Sequence, residues 1–201
     1  MKHFTKLCLL GLCMCSLLTL YGCGSKQKET KETYTLQTNS VYEAPTHPTQ
    51  EQIREYNELS NAIQNNADSK KMAELVAVNF AYEFFTLKEK TGKEDVGGLT
   101  FIPKEKQEEF KDYAVYKYYN NYQAVLSQYS KDDLPSVILH EVNQVTPSSL
   151  MYNQATYDGY IVSLTLKYEE SKLPSDGLKT VMKVSVIEID NISYVIAVED
   201  Q

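Results

Sequence analysis

The chain has 201 residues, a formal net charge of −7, four cysteines and no tryptophan. A chain of this length can bury a hydrophobic core without covalent cross-links. Its acidic balance argues against generic nucleic-acid binding and against electrostatic adhesion to anionic lipid, because both depend on an excess of Lys and Arg.

The N-terminal residues have the pattern of a secretory signal. Lys2 and Lys6 precede an apolar run from Leu7 to Tyr21, which at about 15 residues is short for a transmembrane helix. The run ends in Leu20-Tyr21-Gly22-Cys23, which resembles the lipobox of bacterial lipoproteins. A cleaved secreted protein and a single-span anchor are the alternative interpretations.

The lipobox resemblance implies that a diacylglyceryl group is attached to the Cys23 thiol and that residues 1–22 are removed as a signal peptide. The mature chain would then lie on the outer face of the bacterial plasma membrane, since two acyl chains form a stable anchor. The other three cysteines precede Cys23, so we expect no disulfide and no free thiol in the mature domain. Loss of Lys2 and Lys6 would change the formal charge from −7 to −9.

Residues 23–48 are predicted to form the lipidated cysteine and a flexible tether, followed by one α+β domain over residues 49–201. The segment from Gly24 to Pro48 is rich in Ser, Lys, Gln, Glu and Thr and has too few apolar residues to fold alone. His47 falls in this segment and is expected to be solvated.

Two helices are predicted at the start of the domain. The first begins near Thr49, where Gln52 completes a capping box, and ends at Asn65-Asn66. The second runs from about Ser69 to Lys90 and is apolar on two nearly opposite sides. A helix of this kind packs on both sides, so we expect it to lie between a sheet and another helix.

A third helix, rich in tyrosine, is predicted from Pro103 to about Tyr129. Its apolar face at helical spacing comprises Val115, Tyr118, Tyr119, Tyr122, Leu126 and Tyr129. Tyr113 and Tyr116 fall off this face and are expected to be partly exposed. Tyrosine offers a large, stiff contact area with a polar tip, so both are candidate contacts for a ligand or a partner. Filling of the core rim is the alternative.

Four antiparallel strands are predicted in the last third of the chain. They are Val137–Val145, Tyr160–Tyr168, Val181–Ile189 and Ile192–Val198. Pro147-Ser148-Ser149 is expected to form a turn, and Asp190-Asn191 a two-residue hairpin turn. Asp158-Gly159 fits either a tight hairpin turn or a bulge within one longer strand.

This order of elements predicts an α+β domain: three N-terminal helices packed on a curved four-stranded antiparallel sheet. The order, the Tyr-rich third helix and the two C-terminal strands resemble the nuclear transport factor 2-like, cystatin-type cone over residues 50–200. Within that superfamily the chain is similar to extracytoplasmic domains of Gram-positive conjugation-channel components and small lipoproteins. The resemblance implies a non-enzymatic binding or assembly module with a protein partner in the cell envelope. A cone that binds a small molecule or peptide is the alternative.

No catalytic motif stands out in the mature chain. His140 is the only histidine after residue 48, and enzymes of the cone fold use His and Asp/Glu groups in a polar pocket. Its neighbour Glu141 would point to the opposite face of a regular strand. We therefore treat His140 as a possible ligand or partner contact, with an acid–base enzyme as the less favoured reading. Without a Cys pair, a second His or an EF-hand loop, no metal and no cofactor is expected.

Overall fold

The computed structural model describes residues 32–200. Its helices are α1 (Gln50–Gln64), α2 (Ser69–Phe85), α3 (Gln107–Lys117) and α4 (Tyr122–Leu126). Its strands are β1 (Val137–Tyr152), β2 (Ala155–Tyr168), β3 (Val181–Ile189) and β4 (Ile192–Asp200). The predicted signal peptide, Cys23 and the first part of the predicted tether lie outside the described residues.

The four strands form one antiparallel sheet in chain order, β1-β2-β3-β4. Helix α2 contacts all four strands, and α1 packs against α2. The face of the sheet that contacts α2 is called the inner face below. The predicted α+β class is confirmed, with helices preceding a four-stranded antiparallel sheet.

Helix α1 begins and ends where the sequence predicts. The Thr49 hydroxyl accepts from Gln52 N–H while the Gln52 side chain accepts from Thr49 N–H, which completes the capping box. Asn65 caps the C-terminus. Tyr56 and Leu59 are fully buried against α2 and the rest of the core.

Helix α2 is buried on both sides, as predicted, but it ends at Phe85 and not at Lys90. Thr86 is extended, and its hydroxyl accepts from Val137 N–H at 3.1 Å. The N–H groups of the next two residues donate to Pro135 O at 2.8 and 3.2 Å. Hydrogen bonds to the start of β1 therefore replace the last predicted turn of the helix.

The predicted third helix is interrupted, and this prediction is wrong in its continuity. Residues 118–121 separate α3 from α4, and a 3₁₀ turn over Lys104–Lys106 precedes α3. Tyr119 and Tyr122 are buried as expected; their hydroxyls donate to Phe84 O and Lys90 O. These two long-range bonds tie the residues around the break to the C-terminal end of α2 and to the loop after it.

The first two strands are longer than predicted, and the turn predicted at Pro147-Ser148-Ser149 is absent. β1 continues to Tyr152, and the hairpin turn is at Asn153-Gln154, with φ of 47° and 65°. Asp158-Gly159 is neither a turn nor a bulge, because β2 passes through it without a register shift. A Cβ on Gly159 would lie 2.3 Å from Val186 O, so glycine serves close strand approach there. The Asp190-Asn191 hairpin is confirmed.

Part of the predicted tether packs on the domain. Tyr42 is 3% exposed; its hydroxyl donates to Ser193 O at 2.8 Å, and its carbonyl accepts from the Tyr56 hydroxyl at 2.6 Å. The Asn39 side chain accepts from the N–H groups of Val41 and Tyr42. A flexible coil over residues 34–48 is therefore the wrong prediction, although His47 is exposed as expected.

None of the helices between residues 32 and 200 combines the length and the hydrophobicity that crossing a bilayer requires.

Candidate functional site

The C-terminal half of α2 borders an open cavity of about 410 Å³, which we call the aromatic cavity. Its aromatic lining consists of Phe80, Phe84, Phe85, Phe110, Tyr113, Tyr118 and Tyr152. The residues from Val195 to Val198 in β4 form another wall, and Tyr152 lies at the side of the β1–β2 hairpin. The cavity therefore lies between α2, α3 and an edge strand of the sheet.

The aromatic rings of this cavity form a continuous wall. The Phe84 ring lies 5.5 Å from that of Phe110 and 5.2 Å from that of Tyr118, and Tyr118 lies 6.2 Å from Tyr113. These centroid distances fall within the range of favourable aromatic pairs. Phe80 and Phe84 stack at 5.4 Å because they are one helical turn apart. Phe80 and Phe84 therefore belong both to this wall and to the core, whereas Tyr113 and Tyr118 are exposed.

Polar groups occur at the rim of the aromatic cavity. Lys106 Nζ and Glu109 Oε2 form an ion pair at 2.8 Å. The Tyr152 hydroxyl donates to Glu105 Oε1 at 2.7 Å, which fastens the β1–β2 hairpin to the turn before α3. Desolvation, followed by the bond to Glu105, raises the pKa of Tyr152 to about 12, so its hydroxyl remains a donor.

The three candidate contact residues of the domain, Tyr113, Tyr116 and His140, do not lie at one site. Tyr113 is 52% exposed and lines the aromatic cavity, whereas Tyr116, 70% exposed, does not line it. His140 lies on β1 at neither of the two cavities described here. Phe80 and Phe84 belong to the apolar sides of the predicted second helix, and nothing in their spacing distinguishes a filled core from a cavity wall.

His140 belongs to a separate cluster. Its Nδ1 lies 3.3 Å from the Tyr82 hydroxyl and 3.9 Å from Glu55 Oε1. Glu55 is buried and accepts two bonds from the Arg54 guanidinium, at 2.6 and 2.9 Å. Burial, followed by the Glu55 charge, raises the pKa of Tyr82, so its hydroxyl keeps its proton, and the imidazole tautomer sets which of the two groups donates. Glu55 could not be recognised from the sequence, because its burial depends on how α1 packs.

Glu141 is exposed and His140 is half-buried, as their alternation along β1 predicts. The carboxylate near His140 is therefore that of Glu55 and not that of Glu141. The cluster has the elements of a carboxylate–imidazole pair, with Arg54 compensating the buried charge of Glu55.

A second buried carboxyl, Glu83, lies beside the loop that leads to the aromatic cavity. Its Oε2 accepts from Gly98 N–H at 3.0 Å, while Oε1 has no partner within residues 32–200. Burial raises the pKa of Glu83 to about 7, against the smaller lowering effects of Gly98 and Lys90. Gly97 is required at this approach because a Cβ would lie 2.0 Å from Glu83 O.

The N-terminal end of α2 borders a second cavity, also of about 410 Å³, which we call the polar cavity. Its polar side chains are Ser69, Ser148, Ser149, Asp158, Tyr160, Glu188 and Ser193. Ser69 Oγ donates to Glu188 Oε2 at 2.8 Å.

Within the part of the chain that the structure describes, no group of three or more His, Cys, Asp or Glu side chains could hold a metal ion. No protein-family model matches the chain, and no match was found among curated proteins or solved structures.

Proposed function

We propose that this chain is a lipid-anchored extracytoplasmic binding module that takes an apolar ligand into the aromatic cavity and catalyses no reaction. The anchor would be a diacylglyceryl group on Cys23, on the outer face of a bacterial plasma membrane. The observation that carries the proposal is an open cavity of about 410 Å³ with seven aromatic side chains in its lining. Small-molecule sites are commonly apolar clefts of about 300–1,000 Å³.

The chemistry of the wall supports an apolar ligand group. Each Å² of apolar surface removed from water contributes about 25 cal/mol, and aromatic rings present large areas of it. The charged side chains of this cavity, Lys106 and Glu109, already pair with each other at the rim. The ligand is therefore an aromatic or aliphatic group, carried by a small molecule or by a peptide of an envelope protein.

We also assign the fold to the nuclear transport factor 2-like cones as part of this proposal. The support is the order of helices before strands, the position of α2 against all four strands, and the meander order of the sheet.

An acid–base role for His140 is the second candidate. It is supported by the buried Glu55 at 3.9 Å and the Tyr82 hydroxyl at 3.3 Å. Neither described cavity brings a substrate to the imidazole, so the aromatic cavity is the better-supported site.

Site-specific photo-cross-linking in intact cells tests the binding site. The full-length chain would carry p-benzoylphenylalanine in place of Tyr113, with Tyr116 replaced in the matched control. Both positions are exposed on α3, but only Tyr113 lines the cavity. We expect an adduct at position 113 and little at 116, with its mass distinguishing a small molecule from a peptide. Equal yields, or no adduct at 113, would contradict the proposal.

Metabolic labelling with a fatty-acid analogue tests the anchor. We expect Cys23→Ser to lose the label, and the control Cys15→Ser, within the predicted signal peptide, to keep it. Undiminished label in Cys23→Ser would refute lipidation at this residue.

A further inference from the structure

The inner face of the sheet changes from apolar to polar residues along its strands. Val162 on β2, Val184 on β3 and Val195 on β4 are buried on this face. Continuing the two-residue alternation leads to three polar residues, Asp158, Glu188 and Ser193. The polar cavity is therefore a continuation of the core surface in which polar groups replace apolar ones.

The Ser193 side chain also lies at this site. Ser193 is 5% exposed, lines the polar cavity, and its hydroxyl forms no hydrogen bond within residues 32–200, although its carbonyl accepts from Tyr42. Glu83 Oε1 is the side-chain atom of residues 32–200 that is buried without a partner, so the Ser193 hydroxyl oxygen is open to the cavity and can bond a ligand there. A ligand in the cavity would satisfy this group, whereas the neighbouring Ser69 hydroxyl already donates to Glu188.

The lining selects the charge and the hydrogen-bonding character of that ligand. Asp158 and Glu188 contribute two carboxylates, and the lining contains no Lys, Arg or His. Carboxylates only accept hydrogen bonds, whereas an ammonium group only donates them. The N-terminus of α2 does not offset this charge, because the Asp68 side chain caps it by accepting from Lys71 N–H at 2.8 Å.

A bare divalent cation fits the site poorly. Ca²⁺ takes six to eight oxygen ligands, and the residues that the structure describes include no cluster of three acidic or His groups for a metal. An anion is opposed by both carboxylates. An organic cation with N–H donors matches the acceptors that are present.

We propose that the polar cavity binds a small organic cation through an ammonium group, with Glu188 and Asp158 as acceptors and Ser193 as a further hydrogen-bonding partner. This site is separate from the aromatic cavity, and the proposal does not depend on the function proposed above.

Titration calorimetry with two matched probes tests this site. 6-Aminohexan-1-ol and 1,6-hexanediol differ by one ammonium group, and each would be added to the full-length chain in non-ionic detergent at neutral pH. We expect the amine to bind at least about tenfold more tightly than the diol. Higher salt should weaken amine binding and leave the diol unchanged.

Two variants and a control assign the contacts. Glu188→Gln, at an exposed side chain, should weaken amine binding about tenfold, and Ser193→Ala by a smaller factor. Glu199→Gln, an exposed glutamate on β4 outside the lining, should leave it unchanged. Equal affinity for amine and diol, no binding by either up to about 10 mM, or equal effects of Glu188→Gln and Glu199→Gln would overturn the proposal.

Discussion

The two ends of α2 border cavities of equal volume and opposite chemistry. At the C-terminal end, Phe80 and Phe84 belong both to the core and to the cavity wall. At the N-terminal end, Ser69 and Ala73 face serine hydroxyls and two carboxylates. Both cavities measure about 410 Å³, so the two sites differ in the chemistry of their lining residues and not in volume. At the aromatic end the candidate binding surface is also what stabilises the fold, whereas at the polar end the two roles fall on different residues.

The largest expected effect is at the aromatic end. Phe84→Ala should lower the free energy of unfolding by about 3–5 kcal/mol, because it removes a buried ring that contacts Phe110, Tyr118 and Tyr119. Urea unfolding measures the change. The exposed Tyr116→Ala is the control and should stay within about 0.5 kcal/mol. A loss below about 1 kcal/mol in Phe84→Ala would show that this side chain of the cavity wall does not stabilise the core.

The next effect is a pH dependence at Glu83, beside the loop that leads to the aromatic cavity. Burial raises the pKa of Glu83 from 4.5 to about 7, so the folded state binds more protons than the unfolded state between these values. Stability is therefore greatest below pH 4.5 for this group and decreases as pH rises to about 7, by about 3 kcal/mol. Glu83→Gln should remove this slope.

Urea unfolding at pH 5 and pH 8 measures the effect, with the exposed Glu58→Gln as the control that keeps the wild-type slope. If Glu83→Gln and wild type lost equal stability between the two pH values, Glu83 would not be the group responsible.

At the polar end, stability depends on the close approach of the β2 and β3 backbones at Gly159. Gly159→Ala would place a Cβ 2.3 Å from Val186 O, and the strands must separate to accept it. We expect a loss of about 2 kcal/mol, measured by thermal unfolding. Gly177→Ala, where nothing lies within 4 Å of the added Cβ, should be nearly neutral. Similar changes in both variants would mean that β2 and β3 are more widely spaced here.

The smallest effect separates binding from folding at the polar end. Ser193→Ala removes a hydroxyl that has no partner in the described residues, so we expect the stability to change by less than about 1 kcal/mol. Thermal unfolding without ligand measures this. A loss of 2 kcal/mol or more would show that the hydroxyl supports the fold, and the contrast between the two ends would weaken.

Features with local signals were predicted correctly. The Thr49–Gln52 capping box, the bounds of β3 and the Asp190-Asn191 hairpin each depend on residues adjacent in sequence. The errors all involve distant partners. Pro135 and Val137 end α2, Phe84 and Lys90 hold the tyrosines at the break after α3, and the β1–β2 pairing carries Pro147 through a strand.

The candidate sites were predictable to a smaller extent. Tyr113 was identified because a tyrosine off an apolar face has few structural reasons to be there. Glu55 and Glu83 were missed, since a charged residue in a helix normally lies in solvent and only the packing of α1, α2 and the glycine loop buries these two. Whether a phenylalanine fills a core or borders a cavity depends on what lies opposite it, which spacing does not encode.

The packing of Tyr42 and its neighbours on the domain shortens the free segment between Cys23 and the folded unit. Eight residues lie between Cys23 and Glu32, where the folded unit begins, and the nine steps from one Cα to the next cover at most about 30 Å. Had the chain been free as far as Thr49, the limit would have been about 85–90 Å. If Cys23 carries the proposed lipid, a partner must therefore come within about 30 Å plus the width of the domain from the anchored thiol.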